Sequence, residues 1–82
     1  MSRAIAYPQL VRQRVRWARA LKRARFFHGG DLLDYGINTA VEYGRWVDEY
    51  RKTPVAAALD QMAEQLMQMQ AIQEVLEQRS DK

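Results

Sequence analysis

The chain has no cysteine and a single histidine, His28, so disulfide staples and thiolate metal sites are excluded. A structural zinc site would have to be completed by carboxylates, which is rare. No apolar run is longer than the six residues Pro54 to Leu59, too short to cross a bilayer. The Arg-rich start lacks the apolar core of a secretory signal. It also suits a mitochondrial transit peptide, but it carries a packable apolar face, so a cytoplasmic protein is expected. No segment alternates polar and apolar residues with period two, which leaves no sheet. Acids are missing from the first thirty residues altogether.

What remains is helix. The chain of 82 residues predicts one all-α domain spanning 1–82, with 1–7 and 80–82 frayed. A chain this short buries about 60 to 65% of its unfolded surface, so the core is thin. Without staples, stability must come from close helix packing or from oligomerisation.

Punctuation sets three helices at about 8–28, 31–52 and 54–79, a bundle or hairpin with a long C-terminal helix. Pro8 suits a first helical position. Gly29-Gly30 supplies a left-handed C-cap, and Asp31 an N-cap for the second helix. Thr53 and Pro54 read as N-cap and first residue of the third. In that helix Val55, Leu59, Met62, Leu66, Met69, Gln73 and Leu76 alternate in spacings of four and three, a heptad seam. Met62, Met67 and Met69 cluster there, and the seam reads as core or as an oligomer seam. At 1.5 Å per residue the third helix reaches about 39 Å against roughly 30 Å for the others. A three-helix monomer would then leave Ile72, Val75 and Leu76 in water. A homo-oligomer is therefore expected, a two-fold dimer through the third helix first among the options.

The second helix carries two stripes. Leu33, Ile37, Ala40, Gly44 and Val47 form one, with small residues at Gly36, Ala40 and Gly44 that suit a close helix approach. Tyr35, Tyr43, Trp46 and Tyr50 form the other, and one neighbour cannot cover both.

Charge is the most uneven feature. Residues 1–30 sum to +8 and residues 31–82 to −5, giving the net +3. Arginines outnumber lysines ten to three, and arginine forks onto phosphate or carboxylate. In the first helix Leu10, Val11, Val15, Ala18 and Leu21 read as the apolar face, with Trp17 and Ala24 at its edge. Arg12, Arg16, Arg19 and Arg23 stack along the opposite side, repelling each other by a few tenths of a kcal/mol per pair. Arg14 and Arg25 fall inside the apolar arc and should snorkel or meet Asp34, Asp48 or Glu49.

Catalytic chemistry is not expected, nor is any cofactor or metal. His28 beside two glycines reads as a helix end, and Ser2 and Ser80 lie in the termini. The expected function is a small non-enzymatic adaptor or inhibitor. It would dock an acidic partner-protein surface through the Arg stripe and the aromatics Trp17, Tyr35, Tyr43, Trp46 and Tyr50. Non-specific nucleic-acid binding is the alternative; four phosphate contacts would give a log–log salt slope near −3.6. A purely structural oligomer is the third reading. Basic amphipathic helices also bind anionic lipid surfaces, but Arg14 and Arg25 interrupt the apolar face of this one. Composition of this kind suits small accessory proteins of bacteria or their phages.

Overall fold

The computed structural model describes residues 7–80, and side-chain burial from Arg12 onward. It contains three helices, α1 (Tyr7–Phe26), α2 (Gly30–Lys52) and α3 (Ala56–Ser80), with no strand among the described residues. Tyr7 and Ser80, expected to fray, are helical, whereas residues 1–6 and 81–82 lie outside the described ones. The side chains of Leu10 and Val11 also lie outside them. No described helix is long and apolar enough to cross a membrane.

The breaks differ in detail from the sequence reading. Residues 28–31 form a tight turn in which the Asp31 amide donates to the His28 carbonyl at 3.1 Å. Gly29 sits at φ 55°, ψ −132°, the first central position of a type II′ turn rather than a left-handed helix cap. A side chain there is strained even though nothing lies within 4 Å of the added Cβ. Gly29 is also the N-cap of α2, without a side-chain bond; Asp31 stands in the first turn instead, where its charge suits the helix dipole. Thr53 closes α2, its amide donating to the Glu49 carbonyl at 2.9 Å. Pro54 precedes α3, and the Val55 carbonyl accepts from the Ala58 amide at 3.1 Å.

Helices α1 and α2 each pack on α3 and scarcely touch one another. The core forms at one end, where the C-terminal half of α1, the start of α2 and the last turns of α3 converge. Ala20 and Ala24 of α1, Leu32 of α2, and Ala71, Ile72 and Val75 of α3 are buried there. Leu32 and Val75 are the largest fully buried side chains. Alanine dominates the contact because a small side chain lets two helix axes approach closely. Leu32, fully buried, contributes about 1.5–3 kcal/mol.

Three expectations change. Ile72 and Val75 are 5% and 2% exposed, so the end of α3 is not left in water. The inward face of α1 is Trp17, Ala20, Leu21 and Ala24, while Val15, at 43%, and Ala18 point outward. The buried stripe of α3 is Ala58, Gln68, Ala71, Ile72 and Val75, not the heptad seam, where Leu59 and Leu66 stay 46% and 43% exposed. In the seam, Gln73 is also exposed, and Met62, Met69 and Leu76 are half-buried.

The radius of gyration is 14.7 Å, against about 12 Å for a compact domain of this length. The extents are 41 × 34 × 17 Å, broad because α1 and α2 diverge around α3.

Candidate functional site

Helix α1 ends in the run RARFF. At about 100° per residue, Arg19, Lys22, Arg23 and Phe26 share one side of the helix while Ala20 and Ala24 turn inward. Their position near the negative end of the α1 dipole offsets part of their mutual repulsion. Phe26 is 77% exposed, and its ring stands edge-on to Phe27 at 5.4 Å. Phe27 is half-buried and stacks on Tyr35 of α2 at 4.5 Å and 24°. Together Arg19, Lys22, Arg23, Phe26, Phe27 and Tyr35 line a groove of about 470 Å³. Its floor is aromatic, its rim carries three cations, and no acid lines it.

A buried amide fixes the groove to the core. Gln68, 5% exposed, donates through Nε2 to the Ala20 carbonyl at 2.9 Å. Its Oε1 accepts from Arg23 Nη1 at 3.4 Å, steadying that guanidinium. Burial pushes the Tyr35 phenol above its ordinary value of 10.0, and the Arg23 charge pulls partly back. The phenol therefore stays neutral at ordinary pH. Nearby, the buried Thr39 hydroxyl donates to the Tyr35 carbonyl at 2.8 Å and so is satisfied.

The predicted Arg stripe divides in two. Arg16 Nε lies 3.5 Å from Glu64 of α3, and Arg23 is held by Gln68. Arg12 and Arg19 are exposed and form no ion pair among the described residues. Arg14 and Arg25 are also exposed and form no ion pair there, so the expected partners Asp34, Asp48 and Glu49 do not meet them. The reason is topological: α1 packs on α3, and the acids in question ride on α2.

Of the predicted interface aromatics, Trp17 and Tyr35 pack against the core cluster. Tyr43, Trp46 and Tyr50 are half-buried on the side of α2 that carries Leu32 and Thr39, so much of their surface is covered within the chain. Sequence reasoning missed Lys22, Phe26, Phe27 and Gln68 as parts of one site. The signal was present, since Phe26 and Phe27 directly follow the basic run. The turn that brings Tyr35 back onto Phe27 could not be read from spacing.

The groove lining contains no imidazole, carboxylate or aliphatic hydroxyl. Among the described residues, no three His, Cys, Asp or Glu side chains converge as a metal site would require. The arrangement can accept an anionic group attached to an apolar body. Compared with known proteins, the chain matches no family model, no curated sequence and no solved structure.

Proposed function

We propose that the protein is a small helical binding module that docks an acidic segment of a partner protein in the groove at the end of α1. The observation that carries this is the pairing of an exposed aromatic floor with three cations and no acid. Arginine and aromatic side chains in a partly desolvated pocket are the composition of binding hot spots. An acidic segment bearing one aromatic or aliphatic side chain would fill the floor and neutralise the rim.

Nucleic acid is the weaker reading. Arg16 is paired with Glu64 of α3, which leaves Arg12, Arg19 and Arg23 of the four-residue stripe. Three phosphate contacts give a log–log salt slope of about −2.7, short of the roughly −3.6 of the full stripe. The groove floor offers a single phenol for hydrogen bonding, too little to read base edges.

The test is a titration, followed by amide NMR shifts, with an acidic peptide carrying one tryptophan. The same peptide with tryptophan replaced by alanine and a single-stranded DNA of equal charge serve as comparisons. Shifts should cluster at residues 19–27 and 35 with the tryptophan peptide, and vanish in Phe26→Ala and in Lys22→Glu. Preference for the DNA, or shifts elsewhere on the molecule, would overturn the reading.

A second reading, self-association, has separate support. Leu33, Ile37 and Val41 of α2 are 55%, 61% and 59% exposed, and Val55, Leu59 and Leu66 are 47%, 46% and 43% exposed.

A further inference from the structure

We propose that a second copy of the chain packs on the face shared by α2 and α3 that points away from α1, leaving the basic groove of each copy open. This rests on the self-association reading and gives it a surface, a copy number and a consequence.

Glu64 and Gln68 hold α1 through Arg16, Arg23 and Ala20, and so mark the α1 side of α3. At about 100° per residue, Leu66 falls about 200° from Glu64, and Leu59 about 180° from Gln68. On α2, Asn38 and Glu42 line a crevice with Arg23, Glu64 and Gln68, which marks the α1 side of that helix. Ala40 and Gly44 lie about 160° and 200° around α2 from Glu42, with Leu33 and Ile37 beside them. Both apolar stripes therefore look away from α1, next to each other across the hairpin.

The chain exposes 6266 Å², while a compact monomer of 9.6 kDa exposes about 5,100 Å². That excess, on the order of 1,000 Å², is a property of the whole chain, and this face contributes to it Leu33, Ile37, Val55, Leu59 and Leu66, between 43% and 61% exposed. The charges on this face are Asp48, one turn beyond Gly44, Arg51 and Glu77, of both signs and close to balance. An acidic or basic partner would leave those apolar side chains uncompensated, whereas an identical face matches them in area and neutrality. Gly44 adds a specific sign. A Cβ there would meet nothing within 4 Å, so no contact inside the chain requires a glycine in mid-helix. Close approach of a helix from outside would. Ala40 and Gly44 stand near the midpoint of α2, where a two-fold axis would cross.

The consequence is bivalence. Since α1 lies on the far side of each hairpin, the assembled pair presents two grooves facing outward in opposite directions. A partner with two acidic segments would then be held far more tightly than one groove holds one segment.

The test uses light scattering and sedimentation equilibrium on the full chain over a concentration series. The expected mass is twice 9.6 kDa, and thermal midpoints should rise with protein concentration. Ile37→Glu and Leu66→Glu should each weaken association about ten- to a hundredfold while far-UV dichroism retains the helix. The milder pair Ile37→Ser and Leu66→Ser is measured alongside, so that loss of fold in the glutamate variants does not blunt the result. Val15→Glu, on the outward face of α1, should leave association unchanged. A wild-type chain that stays single at every concentration overturns self-association and this face together. A doubled mass that survives the Ile37 and Leu66 changes, or falls with Val15→Glu, overturns this face but leaves self-association standing. A mass above two chains overturns the two-copy arrangement. None of these results bears on the groove, whose titration reads α1.

Discussion

The two sides of α3 differ in the sequence, and the structure buries the one with the weaker apolar pattern. One side carries Gln68, Ala71 and Val75, small or polar, and is buried under α1 and α2. The other carries Leu59, Met62, Leu66 and Met69, larger and arranged in a regular seam, yet Leu59 and Leu66 stand 46% and 43% exposed. The strength of an apolar stripe therefore does not decide which stripe becomes the core of a single chain. Alanine does, here. Ala20 and Ala24 on α1 meet Ala71 on α3, and backbones that come so close bury their neighbours tightly with little side-chain volume.

The largest effects should come from attacking the buried side. Leu32→Ala removes one of the two largest fully buried side chains and should cost about 2–5 kcal/mol, read by urea unfolding. Leu59→Ala, on the exposed side, should cost under about 0.5 kcal/mol when measured at concentrations where the chain is single. If the two losses match, the contrast between the sides is wrong. Ala24→Leu comes next. Ala24 is 0% exposed, so added volume must push α1 from α3 and should cost about 1–3 kcal/mol. Gln68→Ala should cost about 1–2 kcal/mol by removing the bond to the Ala20 carbonyl and the restraint on Arg23. It should also disturb the groove, visible as shifted Phe27 and Tyr35 resonances, which a purely packing role would not require.

The fold was legible because its punctuation is local. Proline, paired glycines and the helical period place all three helices within two residues of their observed bounds, and those signals need no knowledge of neighbours. Which faces meet was not legible. The apolar arc of α1 put Val15 and Ala18 at its centre and Ala24 at its edge, whereas contact with α3 selected Ala20 and Ala24, which hydropathy barely distinguishes from Ala18. The same error placed Arg14 and Arg25 inside the apolar arc, to snorkel or to meet acids of α2; both are exposed and meet none of those acids. The Arg stripe was correctly placed on one face, but its division into tethered Arg16 and Arg23 and untethered Arg12 and Arg19 depends on Glu64 and Gln68, far away in the chain. The groove needed both the RARFF run and the type II′ turn at Gly29, and the sequence displays only the first.

Two smaller effects sharpen the contrast by their sign. Gly44→Ala should stabilise an isolated chain by about 0.5–1 kcal/mol, since alanine is the better helix former and the added Cβ meets nothing. If α2 is approached closely by a second copy, the same change should weaken association. Unfolding at low concentration and sedimentation at high concentration must then move in opposite directions. Movement in the same direction would remove Gly44 from the interface.

The smallest effect decides orientation. Arg51 lies in the last turn of α2 and Glu77 near the end of α3, at opposite ends of the hairpin, and both are exposed. On the helical wheel each sits beside the apolar face rather than toward α1. If two hairpins stack antiparallel about a two-fold axis, Arg51 of one copy comes over Glu77 of the other, and the contact occurs twice. Arg51→Glu should then weaken association by about 0.2–1 kcal/mol per contact, and adding Glu77→Arg should restore it. In a parallel stack Arg51 would face its own counterpart, and the first change would bring no such rescue. The effect should also shrink as salt rises, because exposed charges are screened within about 8–10 Å at physiological strength. A loss that is salt-independent would come from packing, and the antiparallel orientation would then lose its electrostatic support.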